Sequence, residues 1–181
     1  MTLAEYLMQP GAVAVIPTDT VYGLVGRAAD PSAVQSIYNL KHRERKPGTL
    51  VAASIEQLVE LGITRALLTP VEKFWPGAVS VITPCPDLPY LHQGLGSIAI
   101  RIPNDEKLLA LLRETGPLQT SSANQPGEPP ATTIDEAKAY FGDDVQWYED
   151  GGYVKGEPST VIRVEGGVID VVRDGAVNIK A

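Results

Sequence analysis

Six consecutive residues carry the strongest chemical signal in this chain. Lys41-His42-Arg43-Glu44-Arg45-Lys46 sets four permanent cations against one anion. Such runs usually face water, and cations also suit the C-terminal end of a helix dipole. Lys41 is different, because Val34, Ile37, Tyr38 and Lys41 fall at i, i+3, i+4 and i+7. It therefore extends an apolar stripe, where a lysine either snorkels at the core's rim or aims its ammonium into a pocket. A second cluster, Thr120-Ser121-Ser122-Ala123-Asn124, gathers small hydroxyl and amide side chains behind a β-leaning run. Backbone N–H groups flanked by short side chains let phosphate or ribose approach closely, although the same residues also build ordinary polar turns. Arg101 on a strand edge, Ser159 before a strand, and Arg173 in Arg173-Asp174-Gly175 are further candidates with no common frame of their own.

Several chemistries are excluded by what is missing. One cysteine and two histidines cannot build a zinc site of usual spacing. A serine nucleophile in the 120–124 loop would need His42 or His92 as base, neither has an acid in a recognised arrangement, and Gly-x-Ser-x-Gly is absent. The P-loop and dinucleotide-binding glycine fingerprints are absent too. The net charge of −7 argues against a broad basic face for nucleic acid, so any bound anion must meet a local cluster of cations.

The elements that must hold these groups can be read from pattern. Strands are expected at Ala12 to Ile16, Val21 to Leu24, Thr49 to Ala53, Ala78 to Thr83, Ser97 to Ile102, Leu118 to Ser121, Val145 to Tyr148, Thr160 to Val164 and Val168 to Arg173. Ser97, Ala99 and Arg101 share one face of their strand, and Ile98, Ile100 and Ile102 the other. One helix starts at Asp30-Pro31 and ends at or before Lys46, ahead of Pro47. Others span Ile55 to Leu61 and Asp105 to Thr115, with a helical turn at Pro70 to Phe74 before a Trp75-Pro76-Gly77 corner. Thr133 and Glu136 fit a capping box for a helix closing near Gly142, and Pro84 to Gly96 reads as a loop. Strands and helices alternating irregularly imply an α/β fold with a twisted mixed sheet flanked by helices, in one domain over residues 1–181. A hydrophobic share of 44% with 20% charged residues is that of a soluble globular protein. No apolar run is long enough for a membrane span, the N-terminus lacks a signal-peptide pattern, and the lone Cys85 suits a reducing compartment. A cytoplasmic location without membrane association is expected.

Taken in order along the chain, the stretches Ile16-Pro-Thr-Asp-Thr-Val-Tyr-Gly-Leu24, Leu40-Lys-His-Arg43, Phe74-Trp-Pro-Gly77, Ser97-Ile-Ala-Ile-Arg-Ile-Pro103, Thr120-Ser-Ser-Ala-Asn124 and Pro158-Ser-Thr-Val-Ile162 resemble the threonylcarbamoyl-AMP synthases of the YrdC/Sua5 type. The resemblance implies an open twisted sheet with a concave basic cavity. It also implies condensation of L-threonine, bicarbonate or CO2, and ATP into threonylcarbamoyl-AMP and pyrophosphate, feeding the threonylcarbamoyladenosine modification of tRNA. By the same resemblance Lys41 and Arg43 are catalytic and, with Arg45, Ser97, Ser122, Asn124 and Arg173, bind ATP. Thr18, Arg101, Thr120 and Ser159 bind threonine, with Arg101 on its carboxylate. A Mg²⁺ ion is expected to travel with ATP, and a tRNA threonylcarbamoyltransferase machinery to receive the adenylate. Asp19 stands where many such proteins carry Glu, and Pro130 where a nucleotide-site Ser is common. The Lys-x-Arg and Ser-x-Asn pairs, which the YciO-like branch loses, are both present, and ending at Ala181 matches the short form without the extra Sua5 domain. Two rival readings need no turnover: a concave surface that grips double-stranded RNA or tRNA directly, if weakly, and a regulatory nucleotide-binding module.

Overall fold

The computed structural model describes residues 1–42 and 46–180, and its frame is a single nine-stranded sheet. In chain order the elements are α1 (Leu3–Leu7), β1 (Val13–Ile16), β2 (Gly23–Arg27), α2 (Pro31–Leu40), β3 (Thr49–Val51), α3 (Ile55–Leu61), α4 (Arg65–Leu68), β4 (Val79–Pro84), α5 (Pro89–His92), β5 (Ser97–Arg101), α6 (Glu106–Thr115), β6 (Leu118–Ser122), α7 (Ile134–Phe141), β7 (Trp147–Tyr148), β8 (Thr160–Glu165) and β9 (Val168–Arg173). The strands lie in the order β7-β1-β2-β6-β3-β5-β4-β8-β9. Pairing is mixed: β1/β7, β3/β5 and β4/β8 are parallel, and the other neighbours antiparallel. The mixed, helix-flanked sheet is the architecture that the sequence pattern implies.

The helix starts follow their caps. Asp30 accepts from the Ser32 amide with Pro31 at the first turn of α2, Asp105 accepts from Leu108, and Ser54 from Gln57. The expected box at Thr133 is only half made. Thr133 accepts from the Glu136 amide, but the Glu136 carboxylate turns to the Thr132 amide and hydroxyl instead. The complete box is at α1, where Thr2 and Glu5 exchange both bonds. The second strand sits two residues later than expected, because the Thr18–Val21 segment closes on itself as a turn. The 84–96 segment, expected as loop, contains the short helix α5.

Alternation along the strands sends side chains to two faces. One face packs Val13, Val15, Leu24, Leu50, Ile98 and Ile100 against α2, α3, α5 and α7 through Ile37, Leu58, Leu91 and Phe141. Each of these buried aliphatic side chains contributes roughly 1.5–3 kcal/mol. On the other face Ala14, Ile16, Val25, Val51 and Leu118 pack under α1 and α6 through Leu7, Leu108 and Leu112. Those two helices cover only part of that face. The same face of β6 continues from Leu118 to Thr120 and Ser122, and there the sheet lies open as a cavity floor. Among the described residues no helix is long and apolar enough to cross a membrane.

Candidate functional site

The open part of the sheet floors a cavity of about 560 Å³, within the range of small-molecule sites. Seven strands supply its walls: Gly23 from β2, Thr49 from β3, Ile82 from β4, Ser97, Ala99 and Arg101 from β5, Thr120 and Ser122 from β6, Val161 and Arg163 from β8, and Arg173 from β9. The alternation expected for 97–102 holds, with Ser97, Ala99 and Arg101 in the cavity and Ile98 and Ile100 in the core. Arg173 reaches the cavity because of a bulge. Ile162 pairs with Val171 but Val161 pairs with Arg173, so one extra residue on β9 re-aims the arginine onto the face that Val161 shares.

Several expected site residues therefore meet in one place. Thr18, Ser97, Arg101, Thr120, Ser122, Asn124, Ser159 and Arg173 all line the cavity. Their hydrogen bonds divide them. The Thr18 hydroxyl donates to the Val21 carbonyl at 2.6 Å and receives the Thr20 and Val21 amides at 3.2 Å, so it builds the 18–21 turn. Thr120 donates to the Thr49 carbonyl at 3.0 Å, which leaves its oxygen to accept. The Ser97 hydroxyl has no hydrogen-bond partner among the described residues. Ser159 is buried, 2.7 Å from the Ser80 hydroxyl, and receives the Arg173 guanidinium on its carbonyl at 2.8 Å.

Lys41 is fully buried, as its position on the α2 stripe implies. Its ammonium lies 2.6 Å from each of three oxygens: the Ser122 carbonyl, the Asn124 carbonyl and Asn124 Oδ1. Ser122 Oγ donates to the same Asn124 Oδ1 at 2.7 Å, and Asn124 Nδ2 donates to the Glu128 carbonyl at 2.6 Å. The ammonium's three donor directions thus all have acceptors in the 122–124 loop. Lys41 stands behind the loop while Ser122 and Asn124 present the surface. Arg43 and Arg45 lie outside the described residues.

Arg101 forms an ion pair through Nη1 with Asp19 Oδ1, and the two side chains are only 5% and 13% exposed. One further cation escaped sequence reading. Arg163 joins Arg101 and Arg173 on the lining, and among the described residues Glu165 approaches it loosely at 3.9 Å. Period-two alternation with Val161 was the signal that could have found it. Ser121, from the 120–124 cluster, lines the cavity as well, its hydroxyl sealed from solvent and without a partner among the described residues. Among the described residues no Asp or Glu is on the lining, so Arg163, Arg173 and the Asp19-paired Arg101 give the cavity of a chain whose net charge is −7 a cationic wall. Such a wall suits a polyphosphate and a carboxylate. Among the described residues, no three His, Cys, Asp or Glu come together to hold a metal.

Residues 6–175 match the family model for Sua5, YciO and YrdC, described as telomere recombination. A putative threonylcarbamoyl-AMP synthase of Mycobacterium tuberculosis is 36% identical over 178 residues, spanning 94% of this chain and 82% of the relative. The threonylcarbamoyl-AMP synthase of Bacillus subtilis is 35% identical over 182 residues, spanning 96% of this chain and 53% of the relative. Among solved structures, P. abyssi Sua5 complexed with L-threonine superposes with a TM-score of 0.82 at 30% identity, over 95% of this chain and 52% of the other. E. coli YciO, at 24% identity, shares the fold with a TM-score of 0.82 over 98% and 89% of the two chains. This chain thus spans about half the length of the B. subtilis and P. abyssi proteins.

Proposed function

The chain belongs to the Sua5/YciO/YrdC family, and from that premise we propose that it condenses ATP, L-threonine and bicarbonate into threonylcarbamoyl-AMP and pyrophosphate. The observation that carries the reading is the cavity wall, where Arg163, Arg173 and the Asp19-paired Arg101 line one space with Ser122 and Asn124. The relatives named threonylcarbamoyl-AMP synthase, and the P. abyssi structure with L-threonine bound, support the same substrates.

On this reading the threonine carboxylate meets Arg101, with Thr18, Thr120 and Ser159 shaping its surroundings. ATP lies along Ser97, Ser122, Asn124 and Arg173, with Arg43 and Arg45 adding charge. The threonine amine, once deprotonated, and bicarbonate give the N-carboxylate and water. A carbamate oxygen then bonds to the α-phosphorus as the bond from that phosphorus to the departing pyrophosphate breaks. Neither step needs a covalent enzyme intermediate, so the chain's task is positioning and charge stabilisation. Fixed guanidinium groups serve that task well, because their charge does not titrate at neutral pH and their planar forks hold phosphate and carboxylate oxygens in pairs. Lys41 acts through the loop: its buried ammonium fixes the Ser122 and Asn124 backbone against which the nucleotide is set. The described residues offer no carboxylate cage, so Mg²⁺ is taken to arrive on the triphosphate, and no step is assigned to it.

The product is a reactive mixed anhydride that must be passed on, to a tRNA threonylcarbamoyltransferase machinery in the cytoplasm. The reading is tested by pyrophosphate release. Release from ATP should require both L-threonine and bicarbonate; release that continues unchanged without threonine would contradict it.

A further inference from the structure

The buried pair at the Arg101 end of the cavity bears on which acids the site accepts. Arg101 lines the cavity and is held by Asp19, which sits between the lining residues Thr18 and Thr20. The pair uses only Oδ1 of Asp19. Its Oδ2 has no hydrogen-bond partner among the described residues and is not sealed from solvent. Among the described residues none on the lining is acidic, and Asp19, bonded to Arg101, is the carboxylate beside any acid that docks there.

We propose that Asp19 is the counter-charge for the substrate's α-ammonium, making the Arg101 end of the cavity selective for zwitterionic amino acids over simple hydroxy acids. The inference rests on the threonine reading above and deepens it. Charge and reach both favour an amino acid here. A plain carboxylic acid docked on Arg101 would set two carboxylates against that one guanidinium in a nearly buried place. An α-amino acid brings its own cation and closes the count at zero. The geometry allows it as well: two oxygens bonded to one guanidinium nitrogen stand roughly 4–5 Å apart, a gap that one ammonium spans with N–H···O bonds of about 2.8 Å. Discrimination thus comes from repulsion of the wrong acid as much as from attraction of the right one.

Calorimetric titration of the full chain with L-threonine and with (R)-3-hydroxybutanoate, the same acid without the amine, tests this in the presence of α,β-methylene ATP. The wild-type protein should prefer threonine by about tenfold or more. Asp19→Asn should collapse that preference, weakening threonine while binding the hydroxy acid at least as well as before. Asp19→Glu, which keeps the charge, should restore the preference in part. Equal affinity of the wild-type protein for both acids overturns the inference, and that comparison stands even if Asp19→Asn does not fold. Equal losses for both acids in a folded Asp19→Asn overturn it too, since Asp19 would then only prop Arg101. If wild-type protein does not bind L-threonine at all, the threonine reading itself falls, and the inference with it.

Discussion

Lys41 distinguishes two kinds of cation in this site. A lysine pointing freely at phosphate can be replaced in part by arginine, whereas one donating in three directions into a buried loop cannot, because a planar fork does not reproduce that geometry. The three acceptors on Ser122 and Asn124 make Lys41 the second kind. Removing it takes a charged donor from the part-buried Ser122 and Asn124 carbonyls, at about 1–3 kcal/mol each, and leaves Asn124 Oδ1 with the Ser122 hydroxyl alone. We expect Lys41→Met and Lys41→Arg alike to lower adenylate formation at least about 100-fold, with the loss in ATP affinity larger than in threonine affinity. Steady-state kinetics for both substrates would show it; near-normal turnover in Lys41→Arg would contradict the assignment. The inward aim of Lys41 was legible from its helical spacing. Its target was not, because Ser122 and Asn124 lie some eighty residues on and only strand pairing brings them back. The Asp19–Arg101 pair was invisible for the same reason, at a separation of 82 residues.

Single caps and close approaches decide whether the elements can present these residues. Asp30 starts α2, the helix that delivers Lys41, and also accepts the Gly11 amide at 2.7 Å. Burial alone would raise its carboxyl pKa, but hydrogen bonds from Gly11, Ser32 and Ala33 outweigh that and hold it below the ordinary value. A lowered folded pKa stabilises above the unfolded value near 4 and ceases to do so as pH falls through the folded one. Asp30→Ala should therefore cost about 1–2 kcal/mol in denaturant unfolding at pH 7. The gap should narrow as the pH falls below the ordinary carboxylate range and through the lowered folded value, where the wild-type carboxylate loses its charge too. Gly48 leads into β3 under a different constraint. A Cβ there would stand 1.9 Å from the Thr120 carbonyl and 3.0 Å from the Gln119 amide nitrogen. Gly48→Ala should push β3 off β6 and lower stability by about 1–3 kcal/mol or more; an unchanged denaturation midpoint would refute the close approach. The nine strands and the helices α2, α3, α6 and α7 followed from periodicity and caps, whereas the short helices α1, α4 and α5 did not, being too brief to show a period. The bulge in β9 did not, because it is a matter of pairing between strands, and neither did the start of β2, which the Thr18 turn delays.

At the scale of the whole molecule, an acidic chain keeps a basic cavity by uncovering part of one sheet face. Helices α1 and α6 seal one end of that face, and strands from across the order β2-β6-β3-β5-β4-β8-β9 bring their small and cationic side chains to the other. That convergence is what composition could not reveal: a net charge of −7 describes the surface as a whole, not the wall of one cavity. The ordered motifs pointed to the family, and the match over residues 6–175 places the chain in it. Strand order was beyond sequence reading, since it sets residues from 18 to 173 around a single space. If this space makes an adenylate from three substrates, the purified protein incubated with ATP, L-threonine and ¹³C-bicarbonate should yield, by mass spectrometry, threonylcarbamoyl-AMP carrying one heavy carbon, with pyrophosphate. Neither product should form when any one of the three is left out. Folded protein that binds ATP and threonine yet yields no labelled adenylate would contradict the proposed synthesis.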